Sequence, residues 1–158
     1  MTAEEIRLAE QAISRIFPGL QTGWFEVKSP RTTDYNCIGW AVDDDRNWLW
    51  PGERYWPNGI RTDESVAAFV AVFATKGYTP CEGGALEPNF EKIALYVNDQ
   101  ATVTHAARQL SDGRWTSKLG SQWDIVHSLE GVCGSPPAYG QVAQILRRPV
   151  PISSQDAR

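Results

Sequence analysis

The chain has 158 residues, with 15 Lys plus Arg against 19 Asp plus Glu and a formal net charge of −4 at pH 7. Area scaling lets a chain of this size bury about two-thirds of its surface, so one domain can build a core without disulfide or metal staples. A hydrophobic share of 42% with 22% charged residues excludes disorder, collagen and coiled coil. The acidic balance, with no basic stripe or zinc-finger spacing, argues against a nucleic-acid partner.

Residues 3 to 17 read as a helix, because Ile6, Ala9, Ile13, Ile16 and Phe17 share a face and Thr2 with Glu5 has capping-box spacing. Pro18 and Gly19 end it. Trp24 to Thr33 reads as an extended arm leading to Asp34, Tyr35, Asn36 and Cys37. The apolar run Cys37 to Val42, behind the N-cap candidates Asp34 and Asn36 and ahead of the acidic run Asp43 to Asp45, predicts a short helix. Residues 48 to 61, with Trp48, Trp50, Tyr55 and Trp56 among two Pro and two Gly, form a loop. A helix follows, capped by Thr62 or Asp63, with Val66, Phe69, Val70 and Phe73 at helical spacing and Gly77 closing it.

Residues 79 to 90 read as a second irregular crossing. The period then becomes two. Lys92–Val97, Thr102–Leu110 and Trp115–Leu119 predict an antiparallel meander, and a last strand spans about Gly140 to Arg147. Helices first and strands after give an α+β domain over residues 1–150, its N-terminal helices packed on a small antiparallel sheet, with a polar tail at 151–158.

No stretch of 18 apolar residues suggests a membrane span, and the acidic start MTAEEIRLAE is unlike a secretory signal. The expectation is a cytoplasmic protein, with signal-free export left open. Cys37, Cys81 and Cys133 cannot all pair within one chain, and together with only two His they offer no metal or organic cofactor a home.

Cys37 is the residue with chemical promise. At a helix start, unpaired N–H groups favour the thiolate and can stabilise an oxyanion. His105, on a predicted strand, is the candidate base, and Asp124 is the candidate orienting group, with Gln109, Ser117 or His127 as substitutes. Alternatively His127 and Asp124, three residues apart, form a surface pair on a helical turn. Cys81 and Cys133 have no local basic partner and are assigned no chemistry. Lys118 is expected to face solvent, and Arg108 to be a salt-bridge partner on the sheet face away from His105. The Trp loop either roofs the core or lines a cleft beside Cys37.

Asn36-Cys37-Ile38-Gly39-Trp40-Ala41 resembles the nucleophile helix of NlpC-type cysteine peptidases, and KIALYV followed by VTHAARQL resembles their His-bearing strand pair. The order NCIGWA, YWP, THAARQL, GRWTSKLG, DIVH also resembles an uncharacterised bacterial single-domain family in the papain-like superfamily, over about residues 34 to 149. The resemblance implies a papain-like fold and a Cys37–His105 pair acting without cofactor on an amide or ester of a peptide, peptidoglycan-like or protein substrate. It also implies an oxyanion hole, to which Asn36 or Tyr35 supplies the second donor, while Trp50 and Trp56 serve substrate binding. Two other functions fit the same residues: a non-catalytic binding or immunity-type protein using the Trp loop, and a protein-glutamine deamidase or transglutaminase-like toxin.

Overall fold

The computed structural model describes all residues except 32–33, 42–48, 53–55 and 151–158. Trp48, Tyr55, the acidic run Asp43 to Asp45 and the polar tail lie outside the described residues.

Helix α1 (Ala3–Ile16) carries the full capping box: Thr2 N donates to Glu5 Oε2 at 2.6 Å and Glu5 N to Thr2 Oγ1 at 3.1 Å. Pro18 does not simply end the helical segment. With no N–H to lose, it opens a second short helix, α2 (Pro18–Thr22). Helix α3 is Cys37–Ala41, and α4 is Val66–Ala74. Neither Thr62 nor Asp63 caps α4. Ser65 does, accepting from Ala68 N at 3.1 Å.

Seven strands form one sheet: β1 (Phe25–Ser29), β2 (Thr79–Cys81), β3 (Phe90–Val97), β4 (Val103–Gln109), β5 (Trp115–Lys118), β6 (Asp124–His127) and β7 (Gln141–Pro149). Their order is β1-β6-β5-β4-β3-β7-β2, and the paired strands run antiparallel. This overturns the expected fold class. The chain is 33% strand and 23% helix, a broad antiparallel sheet with few short helices, rather than N-terminal helices on a small sheet of papain-like or NlpC-like type. The expected meander is its centre. The extended arm becomes β1, the irregular crossing contributes β2, and the segment beyond the meander becomes β6.

Both faces of the sheet are covered. Ala9, Ile13, Phe17 and Leu20 of α1 and α2 pack on Ala94, Tyr96, Ala107, Trp115 and Ile125. Cys37, Ile38, Phe69 and Phe73 of α3 and α4 pack on Ile93, Leu95, Ala106 and Leu146. A strand buried on both faces has no polar side to display, which explains the apolar run from Ile93 to Val97 in β3.

Two irregularities shape the centre. Between the pairs Val97↔Val103 and Tyr96↔His105, Thr104 is the extra residue of a β-bulge. Strands β4 and β5 pair only at Arg108↔Thr116 and Gln109↔Trp115, so Val103–Ala107 and Ser117–Lys118 lie outside that ladder. The sheet is split there.

Candidate active site

Asn36 builds the start of α3. Its Oδ1 accepts from Gly39 N at 3.1 Å and Leu49 N at 3.0 Å, while its Nδ2 donates to Leu49 O. It is therefore the N-cap that the sequence suggests. One of its two amide hydrogens is thus committed to Leu49.

Cys37 is buried and free. The backbone N–H groups of Ala106, Ile38 and Cys37 itself are aimed at its sulfur. A strand N–H lies in the plane of the sheet, and β3 already fills the other side of β4, so the sulfur sits at the β4 edge, in the gap left by β5. Burial nevertheless pushes the thiol up to about 11, with those N–H groups and Lys118 pulling only weakly the other way. This reverses the expected thiolate. Five helical residues carry too little dipole to offset complete desolvation.

His105 enters the same gap from the opposite face. The bulge at Thr104 turns it toward the α1 and α2 side, where its ring stacks on Tyr139 with centroids 4.0 Å apart and planes at 7°. Tyr139 is pinned in turn: Thr104 Oγ1 donates to its carbonyl at 2.6 Å. The next residue, Gly140 (φ +85°), lies so close to Val97 O that a Cβ would meet it at 1.9 Å. Only glycine lets this loop press the tyrosine ring onto the imidazole. Burial raises the Tyr139 phenol, and Cys37 adds to the shift.

Across the gap, His105 Nε2 lies 2.8 Å from Ser117 Oγ, and Ser117 Oγ lies 2.6 Å from His127 Nε2. His127 Nδ1 lies 2.6 Å from Ser128 O. Desolvation holds both imidazoles neutral, lowering His105 well below its ordinary value, with His127 adding to the effect, and lowering His127 to about 4. His105 Nδ1 is buried and has no hydrogen-bond partner among the described residues. Cys37 and His105 thus flank β4 from opposite faces of the sheet, and no hydrogen bond joins them.

The other candidates fall elsewhere. Asp124 does not orient His105. It belongs to the opposite face, where its Oδ2 accepts from Ser29 Oγ and, at 3.1 Å, from Tyr35 OH. Tyr35 is therefore not an oxyanion donor. Asp124 and His127 lie on a buried strand, not a surface turn, and alternate to opposite faces. Lys118 is fully buried, contrary to the solvent-facing expectation, and its Nζ donates to the carbonyls of Gly120 and, at 2.7 Å, Gln122. Arg108 lies with its guanidinium carbon 4.9 Å above the Trp40 ring. Gln109 donates to Gly84 O at 2.7 Å and takes no part in the site.

Trp50 and Trp56 both rest on Phe69, each with centroids 5.2 Å apart, so they roof the core beside α4. Trp50 also borders a groove of about 970 Å³ that runs past Glu64, Thr104, Cys133 and Tyr139. Tyr139, which stacks on the His105 ring, lines this groove, whereas Cys37 and His105 themselves do not.

The chain belongs to the family described as Domain of unknown function (DUF7689), whose model matches residues 26–147. No curated protein and no solved structure matches it. The family span reaches from β1 to β7, so it contains Cys37, His105, Ser117, His127 and Tyr139 and leaves out α1 and α2. Among the described residues, no group of three or more His, Cys, Asp or Glu is placed to hold a metal ion, and no helix is long and apolar enough to cross a membrane.

Ser117 and Tyr139 are the residues that sequence reasoning underweighted. Ser117 had a legible signal, since a small hydroxyl on the strand after His105 is well placed to accept from its ring. Tyr139 is 34 residues from His105 in sequence, and no local pattern joins them.

Proposed function

We propose that this protein is a cysteine hydrolase or acyltransferase in which Cys37 attacks an amide or ester carbonyl and His105 carries the proton. The observation that carries this reading is His105 Nδ1. It is a buried ring nitrogen with no partner among the described residues, on an imidazole anchored at its other nitrogen by Ser117 and backed by Tyr139, one residue along β4 from Ala106, whose N–H is aimed at the Cys37 sulfur. A buried polar atom without a partner costs about 1–3 kcal/mol, and such costs collect at functional sites. The likeness of NCIGWA to a nucleophile helix adds motif-level support.

Both groups are neutral at rest, so proton transfer accompanies attack instead of preceding it. The Cys37 thiol proton passes to His105 Nδ1 as sulfur bonds to the carbonyl carbon. The tetrahedral intermediate collapses to a thioester, and the leaving amine or alcohol takes the proton from His105. Water or an acceptor amine then gives its proton to His105 and attacks the thioester, and the thiol is restored. The groove along Trp50, Thr104 and Tyr139 is where the acyl substrate lies. A glutamine deamidase would use the same steps with ammonia leaving. The pure binding reading is weakened by Trp50 and Trp56, whose rings rest on Phe69 instead of standing free.

The test uses p-nitrophenyl acetate as the acyl donor and intact-mass analysis as the readout. The expected result is a single acetyl adduct mapped to Cys37, absent in Cys37→Ala and at least tenfold slower to form in His105→Ala. Acetylation at Cys81 or Cys133 alone, or a Cys37 adduct indifferent to His105, overturns the proposal.

A further inference from the structure

The ring nitrogens of His105 are inequivalent only if something decides which of them carries the proton. The decision is readable from the far end of the chain of contacts. Ser128 O can only accept, so His127 Nδ1, 2.6 Å away, carries a hydrogen. Burial keeps His127 neutral, which leaves its Nε2 as a bare lone pair. The hydroxyl of Ser117, 2.6 Å from that lone pair, must donate to it. A serine hydroxyl has one hydrogen, so toward His105 it offers only its oxygen, and His105 Nε2 at 2.8 Å must be the donor. A neutral ring with its hydrogen on Nε2 has a bare Nδ1.

We infer that His127 is a positioning residue: acting through Ser117, it fixes His105 in the tautomer whose unprotonated nitrogen is Nδ1. The inference rests on the hydrolase reading for its purpose but not for its truth. The base is set by a backbone carbonyl, Ser128 O, through three hydrogen bonds that share one sheet face. In register, Ser117 faces Ile125 and His127 faces Trp115, so β5 and β6 hold the two side chains of the relay, and Ser128, the first residue past β6, closes it. Remove the His127 acceptor and the Ser117 hydrogen is free to turn to His105 Nε2, which moves the ring hydrogen to Nδ1 and removes the lone pair there.

The test is a long-range proton–nitrogen NMR correlation on the ¹⁵N-labelled full chain near pH 7.5, without any substrate. The chain has only two histidines, so His127→Leu assigns both rings. The wild type is expected to show His127 protonated on Nδ1 and His105 on Nε2, each as a single tautomer. In His127→Leu the His105 signals should become a tautomer mixture or switch to Nδ1–H. Ser117→Ala, which breaks the relay while leaving His127 in place, should do the same and decides the matter if His127→Leu does not fold. A wild-type His105 protonated on Nδ1, or an unchanged single Nε2–H tautomer in whichever variants fold, overturns the inference. Failure is distinguishable from failure of the hydrolase reading: tautomer switching without acetylation of Cys37 leaves the relay standing alone, and acetylation without switching does the reverse.

Discussion

His105 Nε2 and Ser117 Oγ are joined at 2.8 Å across the opening where β4 and β5 cease to pair. The contact takes the place of the missing ladder and fixes the ring that faces the gap. In Ser117→Ala, two imidazoles lose their partner at once. Each buried nitrogen left unsatisfied costs about 1–3 kcal/mol, so a loss of about 2–6 kcal/mol is expected in urea unfolding. The Cys37 acetylation rate should fall about tenfold or more, because an imidazole free to turn is a poorer base. A folded variant that acetylates at the wild-type rate removes Ser117 from the site.

Stability should depend on pH through the two histidines. Folded, both rings are held neutral by burial; unfolded, they take up protons below about pH 6.5. The unfolded state binds more protons in that window, so stability rises with pH and falls as the pH drops below about 6.5. His127 contributes down to about pH 4, and His105, also held well below its ordinary value, adds in the same direction. Each ring contributes a limiting slope of about 1.4 kcal/mol per pH unit. Urea midpoints at pH 7, 6 and 5 should fall accordingly, and His127→Asn should remove about half of the dependence. A flat profile between pH 7 and 5 means that the rings are not buried neutral.

Much of this site was legible in sequence, for reasons that differ by residue. Cys37 and Asn36 could be read because helix starts have local grammar: a short polar cap, then an apolar run. His105 could be read because β4 alternates. What hid was set by pairings between distant segments. β6 was missed since DIVH has both faces buried and shows no alternation until its neighbours β1 and β5 are known. Once that segment is a strand, Asp124 and His127 must face opposite ways, which exchanges the expected orienting group for Ser117. The error about Lys118 has the same origin. A lone lysine in a short strand reads as solvated, and only the closure of Tyr35 and the 120–122 turn around it makes it internal.

The thiol should behave as a protected group in the resting protein. Burial raises Cys37 to about 11, so its iodoacetamide reaction at pH 7.5 should be slow and climb about tenfold per pH unit up to pH 10. Cys81 is more exposed and should be alkylated first. Peptide mapping after timed labelling separates the two, and unfolding in urea should abolish the difference. Rapid labelling of native Cys37 at pH 7 contradicts a neutral resting thiol and restores the preformed ion pair.

Asn36→Ala removes both the cap of α3 and the anchor of Leu49. Loss of an N-cap costs about 0.5–2 kcal/mol, and the freed Leu49 groups are buried as well, so a total of about 2–3 kcal/mol is expected. With Asn36 acting as a cap, acetylation measured where the variant is folded should fall only with the loss of α3 order. Asn36→Asp keeps the acceptor for Gly39 N and Leu49 N and should recover part of the stability. A variant of full stability that has lost acetylation outright returns Asn36 to the oxyanion role.

Asp124 and Lys118 are register partners on β6 and β5, and Asp124 is the strongest attraction that opposes the lowering of Lys118 to about 8 by burial. Each charge is internal, so removing either one leaves the other without its counterpart, at a cost of about 3–5 kcal/mol. Lys118→Met and Asp124→Asn should therefore each destabilise strongly, and the double variant should recover about 1–3 kcal/mol relative to their sum. The cycle is read from urea unfolding at pH 7. The same Asp124→Asn protein separates structure from chemistry. Tyr35 and Ser29 hold Asp124 on the face away from the His105 ring, so the folded fraction should acetylate within about threefold of the wild-type rate. Additive single effects break the proposed pairing, and a folded Asp124→Asn protein that no longer acetylates makes Asp124 the orienting carboxylate after all.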